Sequence, residues 1–297
     1  MSAQIAAGPL AWGGLLAFLI IMIVVDLRVG SAQRSMTVRT AATWSGIWIA
    51  LAVAFGAGLW LAEGGEAGEA YFAGYVMEKA LSLDNVFVFT LIFAALAVPR
   101  EEQPRVLLWG ILIALVLRGV FIFAGAEALE TYSWVAWPFA ALLAWTGWRI
   151  LRHGGDDDEG AKIVERVQRR FPAVSAAVAA LLAVAVADVI FAVDSVPAIL
   201  AITTDTFIVF AANAFALLGL RALFFLVAGA VARFAYLKLG LGVLLIGIAG
   251  KLAYGEATGE KISTSLTLGS IVAVLAVAIG ASVLKERRTP QPLNEVT

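Results

Sequence analysis

The stretch EKALSLDNVFVF, residues 78–89, decides how this 297-residue chain is read. It sets Glu78, Lys79, Asp84 and Asn85 inside a run that is otherwise apolar enough for lipid. A second stretch, DVIFAVDSVPAI at 188–199, repeats the pattern, with Asp188 and Asp194 at the same six-residue separation as Glu78 and Asp84. A charge at mid-bilayer costs roughly 2.5–3.5 kcal/mol, so four carboxylates in two such runs require partners, water or an ion.

The surrounding composition makes lipid the right reference. The chain is 62% hydrophobic and 14% charged, where soluble domains are about half apolar and a quarter charged, so it reads as an integral membrane protein. It has no cysteine and one histidine, His153, which excludes disulfides, thiol catalysis, thiolate metal sites and multi-histidine sites. Any metal must bind through oxygen. No basic patch interleaved with aromatics points to nucleic acid. The glycines at 64, 65 and 68 lack the strand–helix setting of a dinucleotide motif, and no P-loop is present. The first apolar segment has no basic leader and is read as a retained span.

Runs of about 20 apolar residues cross a bilayer as helices. Nine are expected, at about 10–28, 43–62, 70–97, 106–126, 132–150, 173–202, 207–231, 236–254 and 265–284, in an all-α polytopic membrane domain covering 1–297. Of the 21 basic residues, sixteen fall in the loops 28–42, 98–105, 149–172 and 232–238 and in the C-terminal tail; the alternate loops hold only Lys251 and Lys261. The positive-inside rule then sets the N-terminus outside and the C-terminus in the cytoplasm of a multi-pass inner (plasma) membrane protein. Lys79, Arg118 and Arg221 remain, all within spans.

LRGVFIFAGA (117–126) resembles LRALFFLVAGA (220–230), and each follows a span that carries an acidic pair. Spans three to five thus match spans six to eight: repeat one at about 70–150, the cytoplasmic loop at about 151–172, repeat two at about 173–254, and a final span at about 265–284. Three spans per unit place the copies in opposite orientation. Such inverted repeats are frequent in secondary transporters, whose sites lie near the midplane at broken helices. Pro197, three residues after Asp194, predicts a kink in the second copy.

Six residues turn a helix by about 240°, so Glu78 and Asp84 share no narrow face: either the helix breaks between them or they serve different neighbours. The repeat's pseudo-symmetry brings Asp84 toward Asp194 and Glu78 toward Asp188, with the Asn85 amide and Ser195 hydroxyl close by. Such hard oxygen donors suit Mn²⁺, Mg²⁺ or Ca²⁺. The four acids against Arg118 and Arg221 leave a charge of −2, which one divalent cation would neutralise. The alternative reading is structural, with the acids locked in ion pairs by Arg118 and Arg221. Lys79 pairs locally or extends toward an interface, Asp26 lies near the cytoplasmic boundary as a pathway residue or a solvated one, and Asn213 and Thr203 extend a polar path or bond between helices. The acidic run 156–159 reads as a solvated loop.

With EKALSLDNVFVF, FAVDSVPAILAIT (191–203) and NAFALLGLRALFFLVAG (213–229) together, the chain resembles the TerC family of integral membrane proteins from Asp26 through Lys251. The resemblance implies an architecture similar to LysE-type exporters and a link to manganese efflux and tellurium resistance. It implies a metal pathway through Glu78, Asp84, Asn85, Asp188, Asp194 and Ser195. The family pattern has a further acid three residues before Asp188, where this chain has Ala185. The expectation is a secondary transporter moving a divalent ion, Mn²⁺ first and Ca²⁺ as the alternative, out of the cytoplasm, with no tightly bound cofactor. Export against 100 mV costs about 4.6 kcal/mol for two charges, so an exchanged ion is needed, with protons the natural candidate. The rival expectation is a membrane anchor of a resistance or secretion complex. A membrane enzyme is disfavoured because no nucleophile–base set is present.

Overall fold

The structure, a computed structural model, describes residues 7–32, 37–153, 159–227 and 236–288. Among them are eleven α-helices and no strand. They are α1 (Pro9–Ala32), α2 (Val38–Glu63), α3 (Gly65–Ala95), α4 (Gln103–Thr131), α5 (Ala136–His153), α6 (Glu159–Arg170), α7 (Ala176–Leu200), α8 (Thr206–Leu218), α9 (Leu220–Val227), α10 (Leu237–Thr258) and α11 (Thr264–Arg288).

Helix ends follow the local chemistry. Thr37 and Ser175 accept from the backbone N–H groups of Thr40 and Val178, which start α2 and α7. Gly64 alone joins α2 to α3 at φ 94°, a backbone conformation that a side chain would strain. Asp205 caps α8, its Oδ1 accepting from the backbone N–H groups of Phe207 at 3.0 Å and Ile208 at 3.1 Å. Asp205→Ala is expected to cost about 1 kcal/mol, read as a lower melting temperature in detergent. A melting temperature equal to wild type would show that the cap is dispensable.

Each expected stretch falls on one helix, or for 207–231 on α8 and α9 as far as residue 227. Six helices (α1, α2, α4, α7, α10 and α11) are long and apolar enough to cross a membrane, and the α8–α9 pair, bent by 42°, makes seven. α3 and α5 fall outside that set. α3 carries Glu78, Lys79 and Asp84 along its middle, and α5, at 18 residues, ends in Arg149 and Arg152. These charges lower the very signal by which a span is counted.

One expectation about breaks is corrected, and one open alternative is decided. α7 runs unbroken through Pro197, which lies in its last turn, where a missing N–H costs a single bond to the Val193 carbonyl. The interruption falls instead at Gly219, between α8 and α9. α3 is also continuous from 65 to 95, so Glu78 and Asp84 serve different neighbours. The loop at 151–172, expected to be solvated, contains α6, which buries Ile163, Val164 and Val167 between α3 and α7. The acidic run at 156–158, Arg34 and Arg233 lie outside the described residues.

α3 is the axis of the bundle, packed on α2, α6, α7, α8 and α11. Around its first half Trp48, Tyr71, Phe207 and Phe215 form one core, and the Tyr71 hydroxyl donates to the Ala52 carbonyl at 3.0 Å. Around its second half Phe89, Phe93, Leu107 and Phe224 form another. α5 packs against α10, and their backbones touch: a Cβ on Gly147 would lie 2.6 Å from the Gly242 carbonyl oxygen. A cavity of about 470 Å³ gathers Glu66, Ser133, Thr203 and Thr264 at one end of the bundle. It therefore brings together the α2–α3, α4–α5, α7–α8 and α10–α11 connections, the four that are poor in basic residues.

Candidate functional site

The acids of the two motifs are sorted by the faces they occupy. Glu78 and Asp188 point inward and are fully buried, at 0% and 1% exposure. Between them lies Arg118 of α4, itself 0% exposed. Its Nε and Nη2 donate to Asp188 at 3.2 and 3.0 Å, the two-pronged geometry that suits a carboxylate. Its Nη1 donates to Ser195 Oγ at 3.2 Å and forms an ion pair with Glu78. One guanidinium thus gathers an acid from each motif.

Asp84 and Asp194 lie on the other side of Arg118. Both line a small cavity of about 70 Å³ between α3, α4, α5, α7 and α10, together with Asn85, Ser195, Thr146, Arg149 and Lys238. Asp194 accepts from Thr146 Oγ1 at 2.9 Å. Asp84 is partly open, and Lys238 Nζ stands 3.8 Å from its Oδ1 while also lying 4.5 Å from the centre of the Phe87 ring. Glu78 and Asp188 therefore meet through Arg118, whereas Asp84 and Asp194 meet across the cavity.

The expected charge sum changes. Arg221 is not part of this centre: on α9 it pairs with Asp26 of α1, its Nη2 donating to the Asp26 carboxylate and carbonyl at 2.7 Å each. Arg149 and Lys238, which read in the sequence as loop residues, take part instead. Four carboxylates now face three basic groups, a net −1. Lys79 makes no ion pair among the described residues; its Nζ donates to the Ala216 carbonyl at 3.2 Å, at the end of α8. Ala185 sits on α7 one turn before Asp188.

Ser82 was missed by sequence reading. Glu78, Ser82 and Asn85 recur at i, i+4 and i+7, which places them on one face of α3. All three are buried, and Glu78 Oε2, Ser82 Oγ and Asn85 Nδ2 have no hydrogen-bond partner among the described residues. On α8, Asn213 is buried, and neither of its polar atoms has a partner among the described residues. Buried polar atoms are nearly always paired, so this row is a polar surface with donor and acceptor capacity to spare. No cluster of three or more acidic or histidine side chains poised around one point is present among the described residues. Any ion held here must draw on Asn85, Ser195 or Thr146 as well as on carboxylates.

Fold and site together define a helical membrane protein with ionised groups at its core. The chain belongs to the TerC family: the family's sequence model, described as "Integral membrane protein TerC family", matches residues 63–290. The match begins at the end of α2, so Asp26 lies outside it. Among relatives, membrane protein STKORF319 of Myxococcus xanthus is 39% identical over 303 residues, covering 95% of this chain and 94% of its own. Alx of Escherichia coli (strain K12), named as a candidate membrane-bound redox modulator, is 36% identical over 92% of this chain and 94% of its own. Tellurium resistance protein TerC of Serratia marcescens is 33% identical over 88% and 90%. No solved structure matches the chain.

Proposed function

We propose that this protein is a secondary transporter that exports a divalent metal ion, Mn²⁺ first, from the cytoplasm. The observation that carries the reading is the convergence of Asp84 and Asn85 with Asp194 and Ser195 on one cavity, so that both motifs contribute hard oxygen donors to the same place. Lys238 stands where a cation would, and an arriving ion must displace it from Asp84. Neutralised acids in the emptied state are the natural carriers of exchanged protons.

Packing supports the inverted repeat. Exchanging α3 with α7, α4 with α8–α9 and α5 with α10 maps the packed pair α3–α8 onto α7–α4, and it maps the pairs α3–α7 and α5–α10 onto themselves. Nine crossings fit the same frame. Surface residues Tyr132, Trp134 and Trp137 stand near one end of α5, and Trp145 and Trp148 near the other, the aromatic belts of a crossing helix. The four connections gathered at the 470 Å³ cavity are those assigned to the exterior, which favours an external N-terminus and a cytoplasmic C-terminus in the inner membrane.

The names of the relatives, tellurium resistance and redox modulation, describe effects. With no cysteine this chain cannot exchange thiols, and metal export is one physical route to such effects. One observation favours the rival reading of a membrane scaffold: Glu78, Asp188 and Ser195 are all gathered by Arg118, as a structural ion-pair core would be.

Flux of Mn²⁺, Ca²⁺ and Mg²⁺ into proteoliposomes under an imposed proton gradient separates the two. Wild type is expected to move Mn²⁺, and folded Asp84→Asn/Asp194→Asn protein to lose at least ten-fold of that flux. No flux of any of these ions from folded wild type would overturn transport in favour of the scaffold.

A further inference from the structure

The two repeat units differ at one point. Arg118 falls inside the continuous helix α4, whereas Arg221 follows two residues after the break at Gly219, where the first unit has Val116. The arginines have parted accordingly. Arg118 holds the carboxylates of both motifs, while Arg221 is turned to α1 and holds Asp26. The fit there is incomplete, because Arg221 Nε is buried without an acceptor among the described residues.

Two groups that the repeat does not duplicate maintain this arrangement. Lys79 stands where the second motif has Val189. Its ammonium fills the space beside Gly219, so close that a Cβ there would lie 2.8 Å from Nζ, and it donates to the Ala216 carbonyl in the last turn of α8, where the hydrogen-bond ladder ends. Asp26 lies outside the repeat altogether and receives Arg221.

We propose that Arg221 is a second resident cation of the carboxylate centre, held off it in this state by the bend at Gly219, with Lys79 as the wedge and Asp26 as the latch. Straightening α8–α9 shifts the Arg221 backbone by only about 2 Å but re-aims it, so that its long side chain swings toward Glu78 and Asp188, to the position that repeat symmetry gives it opposite Arg118. Each arginine is then a tethered competitor for the same acids, and an ion reaches them from the side whose arginine has swung away. The inference rests on the inverted-repeat transport reading above.

The absence of native cysteines allows spin labels to be placed at chosen pairs of sites. Leu27→Cys/Phe225→Cys and Leu16→Cys/Phe225→Cys proteins in nanodiscs give two bearings on α9 from α1. Phe225 lies six residues past Gly219, so removing the 42° bend moves it by about 6 Å. The native background is expected to show one principal distance for each pair. Asp26→Asn and Gly219→Ala, the latter placing a methyl against Lys79, are each expected to add a second population displaced by up to about 6 Å.

Single unshifted distances for both pairs in folded Asp26→Asn protein would overturn the proposal, even if Gly219→Ala fails to fold. Because the measurement needs no flux, its failure is separable from that of the transport reading. A shifted population in a protein that moves no ion keeps the arginine movement and removes transport. Flux with fixed distances does the reverse.

Discussion

Replacing Arg118 with methionine is expected to destabilise the detergent-solubilised protein by about 3–5 kcal/mol, more than any other single substitution in the carboxylate centre. The guanidinium is fully buried, and among the described residues it is the partner of two carboxylates that are themselves fully buried. Removing it leaves two uncompensated charges in a medium that cannot solvate them. Adding Glu78→Gln and Asp188→Asn to Arg118→Met removes those charges and is expected to recover most of the loss. Unfolding followed by the fluorescence of the nine tryptophans reads both results. A single mutant as stable as wild type, or a triple mutant no better than the single, would show that the acids are solvated by something other than Arg118.

The second large effect is expected at the crossing of α5 and α10. A valine at Gly147 would drive its Cβ to 2.6 Å from the Gly242 carbonyl oxygen and 2.8 Å from Ile246 Cγ1. The backbone on the far side cannot yield as a flexible side chain would, so a loss of at least about 1–3 kcal/mol is expected. The functional loss should be larger than the loss of stability. Gly147 sits beside Thr146, which holds Asp194, and two residues from Arg149, so separating the helices carries both away from the cavity. Gly250→Ala on α10, where a Cβ meets nothing within 4 Å, is the control and should melt like wild type. Equal melting of Gly147→Val and Gly250→Ala would mean that the crossing is looser than the backbone contact implies.

Much of the site is legible in the sequence. The six-residue spacing of the acids, the arginine in the following span and the doubling of both motifs are enough to pair Asp84 with Asp194 and Glu78 with Asp188. What sequence reading misses has identifiable physical causes. Arg149 and Lys238 read as loop residues because they stand at helix ends, where basic residues ordinarily face water; long side chains let them reach back to Asp194 and Asp84. Arg221 matches Arg118 by its neighbours in sequence, a match that cannot see a bend at one glycine. Pro197 suggests a kink because proline breaks helices, yet in a last turn it has little ladder left to break. α6 has a readable signal: Ile163, Val164 and Val167 on one side and Lys162, Glu165, Arg166 and Arg169 around it form an amphipathic pattern that the acidic run just before it obscures.

α6 has a mechanical meaning beyond its burial. It lies across both motif-bearing helices, and the fit is tight enough that a Cβ on Gly160 would come within 2.9 Å of Leu91 Cβ on α3. A crossbar fastened in this way resists sliding of α3 against α7. The two acidic helices are thereby tied to each other as well as packed together, a tie that α4, α5, α10 and the jointed α8–α9 lack.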